Sequence, residues 1–164
     1  MVEVRDSSLT FASVYESDYA PKDPALKDAN MLLIPYCNYR PGIEYCFGEY
    51  SEEFLSYVRE NENERIKVDI AISDERYQAM EMHSLLLDIG IFLVKDIILP
   101  VALGVLSNYV FSKVNSMHEK KENVNVRVEI IAQEPNGRSK AIRYDGPASG
   151  FDAVKEAASK VLEP

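Results

Sequence analysis

Basic charge is in short supply in this chain. Its 164 residues carry 18 lysines and arginines against 27 aspartates and glutamates, a formal net charge of −9. Phosphate binding needs a basic face, so no nucleic-acid partner is expected. Cysteine is scarce too. Cys37 and Cys46 are separated by eight residues, and the two histidines, His83 and His118, are far from them in sequence. That is not a zinc spacing, so no metal or other cofactor is expected. The chain begins Met1-Val2-Glu3-Val4-Arg5-Asp6, without the basic region and apolar run of a secretory leader. It has no Asn-x-Ser/Thr sequon. These absences lead to the expectation of a cytoplasmic protein with reduced thiols, a disulfide being the alternative. A Gly-rich phosphate loop, a Gly-x-Ser-x-Gly elbow and a His-Glu-x-x-His helix are also missing. Nor are there internal repeats or low-complexity segments.

What is present is globular. The apolar share is 46% and the charged share 27%, which fits a packed core rather than disorder. The length suits one domain spanning 1–164. A charged connector at 115–123 leaves open a division into sub-lobes 1–114 and 124–164. Residues 1–16 read as one or two short strands. Two prolines and three aspartates make 17–29 a loop, with one helical turn at Pro24. Met31 to Ile34 reads as a strand ended by Pro35. Ser51 is placed to cap a helix running to Glu60, with Glu52 and Glu53 at the positive end of its dipole. Ile66, Val68, Ile70 and Ile72 alternate with polar neighbours as a strand, after which Asp74 is placed to cap a helix from Glu75. Val124 to Ile130 alternate again, and Asn136-Gly137 is a strong hairpin signal leading into Ala141–Tyr144. A last helix covers 149–162. The fold class is therefore α+β, with a mixed or antiparallel sheet, a long kinked apolar helix, and a C-terminal hairpin followed by a helix.

Residues 84–114 are strongly apolar and are read as that long helix. No charge occurs from Ile97 to Ser112, and Pro100 is expected to kink or split the helix. An apolar face all round demands cover on every side. Its cover is either the same domain or a second copy, and Leu99, Leu103, Leu106 and Val110 are the candidate self-association residues. A membrane span is the weaker alternative. The uncharged run falls short of the ~20 residues a span needs, and extending it takes in Lys95 and Asp96. A surface-lying helix lacks the basic polar face it would require.

Tyrosine and arginine crowd together between residues 36 and 50, around a Pro41-Gly42 turn. Such side chains give large contact area at modest entropy cost. Tyr36, Tyr39, Arg40, Glu44 and Tyr45 are accordingly the candidate binding residues, with a cover for the sheet edge as the structural alternative. A pocket joining them to residues 65–74 would make the protein a small-ligand binder or enzyme. Arg76 and His83 are separated by six residues, a spacing found in some all-helical ribonucleases. Here Tyr77 stands where that motif carries a polar residue, and the fold is not all-helical. Glu49, Glu52, Glu53 and Asp69 read as a solvated acidic surface. No catalytic residue is assigned.

Residues 84–162 resemble the effector-associated constant components of prokaryotic conflict systems. The resemblance rests on an apolar helix, a polar connector, and a hairpin of the form Val-Arg-Val-Glu-Ile (126–130), Pro-Asn-Gly-Arg (135–138) and Ile-Arg-Tyr (142–144). It implies a non-enzymatic companion that couples recognition to a separate effector protein. The expectation is thus an interaction or adaptor module, a homo-oligomer or effector partner, with a membrane-associated component as a further alternative.

Overall fold

The computed structural model of the chain describes residues 2–60, 65–79 and 85–161. Among the described residues, eight strands and five α-helices follow one another. They are β1 (Val2–Ser7), α1 (Phe11–Tyr15), α2 (Pro24–Lys27), β2 (Met31–Ile34), β3 (Tyr36–Arg40), β4 (Ile43–Cys46) and α3 (Ser51–Glu60). Next come β5 (Val68–Ile70), β6 (Leu86–Lys95), α4 (Leu99–Ser116), β7 (Asn125–Gln133), β8 (Ser139–Pro147) and α5 (Ala153–Val161). Six strands form one mixed sheet in the order β1-β8-β7-β6-β2-β5, and β3 with β4 forms a separate ribbon. The protein is α+β. Residues 1–114 and 124–164 share that sheet, because β7 pairs with β6 and β1 pairs with β8.

The apolar stretch after residue 84 divides differently from the expectation. Its first half, Leu86–Lys95, is a strand, and the helix starts only at Leu99. The physical reason is burial on both faces. β6 lies inside the sheet between β7 and β2, so both sides of it are apolar and no period-2 alternation appears. Pro100 sits in the first turn of α4, where its missing N–H costs nothing, so it starts the helix and does not kink it. α4 then carries the crossover between the parallel strands β6 and β7.

Three smaller expectations also change. Phe11–Tyr15 is a helix with a Thr10–Ser13 capping box rather than a strand. The strand at 65–73 contracts to Val68–Ile70. Asp74–Arg76 makes only a 3-10 turn, not the start of a helix. Met80 to Ser84 and Leu162 lie outside the described residues.

The two faces of the sheet are covered unequally. One face packs on α3, α4 and α5 in the main core, which holds Phe54, Phe92, Leu99, Leu106, Val126, Ile142, Phe151 and Val154. On the other face, Phe11, Val14, Tyr19 and Leu26 cover Leu32, Ile34, Leu93, Ile131 and Ala141. That second cover reaches only part of the way. Beyond it, Arg127, Glu129, Arg143 and Asp145 of β7 and β8 remain half-buried or exposed.

Candidate functional site

The β3–β4 ribbon distributes the tyrosine-rich residues instead of gathering them. Tyr36 pairs with Cys46 and Cys37 with Tyr45, so each pair faces its own side of the ribbon. Tyr45 packs edge-on against Tyr19 at 5.4 Å, with the Arg76 guanidinium 4.8 Å from its ring. Arg40 and Glu44 are exposed at the tip and, with Asn38, Pro41, Gly42 and Ile43, line an open hollow. The side chain of Tyr39 lies outside the described residues, as does His83, the partner proposed for Arg76. Cys37 is exposed and Cys46 buried, and both are free thiols. Their register places them on opposite sides of the ribbon. Among the described residues no group of three or more His, Cys, Asp or Glu side chains is placed to hold a metal ion.

Tyr36 turns inward to the one fully buried acid of the described residues, Asp88. The Tyr36 phenol donates to Asp88 Oδ1 at 2.7 Å, and the Arg127 guanidinium lies 3.7 Å from Oδ2. Oδ2 itself has no hydrogen-bond partner. Burial pushes the Asp88 carboxyl above the usual carboxylate range, against the Tyr36 hydrogen bond and the Arg127 charge, which pull it down. Burial and the Asp88 charge together raise the Tyr36 phenol, which therefore stays protonated as the donor.

A β-bulge between Asp88 and Gly90 builds this arrangement. The extra residue moves Ile91, Leu93 and Lys95 onto the face that Asp88 occupies, as their pairing with Glu129, Ile131 and Gln133 shows. Gly90 has φ +101°, and a Cβ there would lie 2.7 Å from Ser51 Oγ. Ser51 does not cap α3 as expected. Its buried hydroxyl donates to the Ile89 carbonyl at 2.7 Å, and the Phe54 amide donates to the Tyr50 carbonyl instead. The Tyr50 amide donates in turn to the Asp88 carbonyl at 3.0 Å. Gly48 packs so tightly on Asp88 that a Cβ would stand 2.4 Å from the Asp88 carbonyl oxygen. The bulge thus ties the ribbon, α3 and the sheet together. The sequence signal for it is a charged residue two positions before a glycine, inside an otherwise apolar run.

The sheet platform beside Asp88 carries cross-strand ion pairs. Arg127 Nε donates to Asp145 at 3.4 Å, and Arg5 pairs with Glu129 at 3.1 Å. Tyr36, Ile91, Arg127, Val128, Glu129 and Arg143 enclose a concavity of about 270 Å³ there.

The four self-association candidates on α4 point into the fold. Leu99, Leu103, Leu106 and Val110 are buried in the main core, so the same chain covers them. The opposite side of α4 is less protected. Ile97, just before the helix, is 83% exposed, and Val101, Gly104, Val105 and Phe111 are only half-buried. At the foot of the helix, Tyr109 and Lys113 both donate to Glu53 of α3, at 2.5 and 2.8 Å. Burial raises the Glu53 carboxyl, but these two donors outweigh it and hold the group below its ordinary value.

No family model, curated protein or solved structure matches this chain.

Proposed function

We propose that this chain is a non-catalytic interaction module that self-associates through the outer face of α4. One observation carries the reading: up to Ser112, α4 bears no charge on the side turned away from the sheet, where exposed Ile97 and half-buried Val101, Val105 and Phe111 surround exposed Asn108 and Ser112. The outward faces of the other two long helices are charged, through Glu52, Glu53 and Arg59 on α3 and Lys155, Glu156 and Lys160 on α5. α4 instead presents Ile97, Val101, Val105 and Phe111, with no charge between Ile97 and Ser112. A chain of net charge −9 meets its copy at lowest cost along such an uncharged strip. Gly104 lies midway, and nothing stands within 4 Å of where its Cβ would be. An antiparallel crossing of two α4 helices there sets Ile97 of one copy beside Phe111 of the other, an isologous contact.

Light scattering coupled to size exclusion tests the reading. The expected species is twice 18.6 kDa. Ile97→Glu combined with Val105→Glu should return it to a folded monomer. A wild-type monomer at every concentration tested removes self-association from the function.

The likeness of residues 84–162 to companion modules of conflict systems supports a separate effector as a further partner, in a prokaryotic cytoplasm. Pull-down with the wild-type chain and with the α4 double variant tests that role. A membrane-associated role is the second reading. Asp96–Ser116 is long and apolar enough to cross a bilayer, with mean hydropathy 1.6, though half of it is buried in the fold. A span would have to strip the inner face of α4 from the sheet, whereas a peripheral contact would not. Recovery of expressed protein without detergent, wholly in the soluble fraction, excludes it.

A further inference from the structure

We propose that the concavity between Tyr36 and the open half of the sheet binds the carboxylate or phosphate group of a small molecule through Arg127 and Arg143. The two arginines stand diagonally across β7 and β8 on the same face, since Arg127 pairs with Asp145 and Glu129 with Arg143. Both line the concavity. Their hydrogen-bonding capacity is largely unspent. Each guanidinium offers about five N–H donors. The Arg143 guanidinium makes no hydrogen bond or ion pair with any described residue, and the Arg127 guanidinium makes a single hydrogen bond, of 3.4 Å. Its second carboxylate contact, to Asp88, is 3.7 Å long. Both distances exceed the ~2.7–2.9 Å of a tight charge-assisted bond.

Asp88, Glu129 and Asp145 neighbour the arginines, and Glu129 lines the concavity with them, but each acid is already engaged, Asp145 by Arg127 at 3.4 Å. Asp88 is sealed beneath Tyr36, and Glu129 is engaged by Arg5 at 3.1 Å. Arg127 and Arg143 stand across a cross-strand diagonal, and an oxyanion bridging them matches their planar donor forks. Ile91, on the same face, supplies an apolar floor for a short carbon body, and the Tyr36 ring supplies a wall. At about 270 Å³ the space falls just below the ~300–1,000 Å³ typical of drug-sized ligands. It suits one charged group with few further atoms.

The experiment is a titration of the ¹⁵N-labelled full chain with sodium phosphate and, separately, with sodium acetate, at constant ionic strength balanced by sodium chloride. The expected result is saturable movement of the Arg127 and Arg143 Nε signals with one or both anions. Saturation by phosphate alone marks a phosphate ester, and by acetate alone a carboxylate. Arg143→Ala, at an exposed position, should fold normally and weaken the interaction by about 10-fold or more. Lys155→Ala, on the far face of α5, should leave it unchanged. Arg127→Lys keeps the charge but loses the fork and should weaken binding as well. Non-saturable shifts, or equal affinity in Arg143→Ala and wild type, overturn the proposal. Either result reduces the patch to a solvated ladder of cross-strand charges.

Discussion

The two faces of α4 should respond to substitution in opposite ways, and Leu103→Ala and Ile97→Ala make the comparison. Leu103 is 4% exposed and belongs to the main core, whereas Ile97 is 83% exposed. Truncating a buried leucine removes its transfer energy and leaves a cavity, a loss of about 2–5 kcal/mol. A domain of this kind has ~5–15 kcal/mol of total stability, so the variant keeps its fold with a large deficit. With a urea dependence of ~2 kcal/mol/M, the unfolding midpoint should fall by about 1–2.5 M. Ile97→Ala touches little within its own chain and should shift unfolding of the isolated monomer by no more than ~0.5 kcal/mol. In a dimer its effect is larger. Burying an isoleucine yields ~1.5–3 kcal/mol, and an isologous contact loses it twice, so the dissociation constant should rise by about 10²- to 10⁴-fold. Equilibrium urea unfolding at low protein concentration, followed by dissociation measured by analytical ultracentrifugation, separates the two effects. If Ile97→Ala lowers monomer stability as much as Leu103→Ala, the assignment of inner and outer faces is wrong. If neither variant changes assembly, the outer face is not the interface.

Further outcomes follow from the bulge and the helix crossing. Gly90→Ala should destabilise the fold by about 1–3 kcal/mol in thermal unfolding, because φ is +101° and Ser51 Oγ occupies the space. Tyr109→Phe removes the donor to Glu53 and should cost about 0.5–1.5 kcal/mol. For Asp88, burial raises the folded pKa above the unfolded one, against Tyr36 and Arg127. Its contribution to stability is therefore fully present below the unfolded value and lost as pH rises through the folded value. Asp88→Asn should remove that component from a stability profile measured between acidic and neutral pH, and an unchanged profile would show that Asp88 is not its source. Glu53 runs the other way. Its folded pKa is depressed, so its stabilising contribution exists above the unfolded value and fades as pH falls through the folded one, and Glu53→Gln should flatten that acid-side loss.

Much of the secondary structure was legible because it is local. The Asn136-Gly137 turn, the alternation of β7 and the polar punctuation around α3 are each written within a few residues. The candidate site was less so. Tyr36 belonged to the expected binding set, yet its phenol serves Asp88, and Arg127, Asp145 and Arg143 join it from strands about 90 or more residues away in sequence. Pairing register alone brings those side chains together.

The sequence by itself determined the α+β class, the hairpin near the C-terminus, the acidic balance and the presence of one helix too apolar to stand alone in water. Only the tertiary structure decided where that helix begins. Residues 86–95 and 99–116 are both rich in apolar side chains, and a strand buried on both faces carries no period that separates it from a helix. Place in the sheet between β2 and β7 made the first a strand, and crossover between parallel neighbours made the second a helix. The same packing covered Leu99, Leu103, Leu106 and Val110 and left Ile97, Val101 and Val105 facing out. Which apolar side chains of so apolar a helix meet solvent is set by what packs on it.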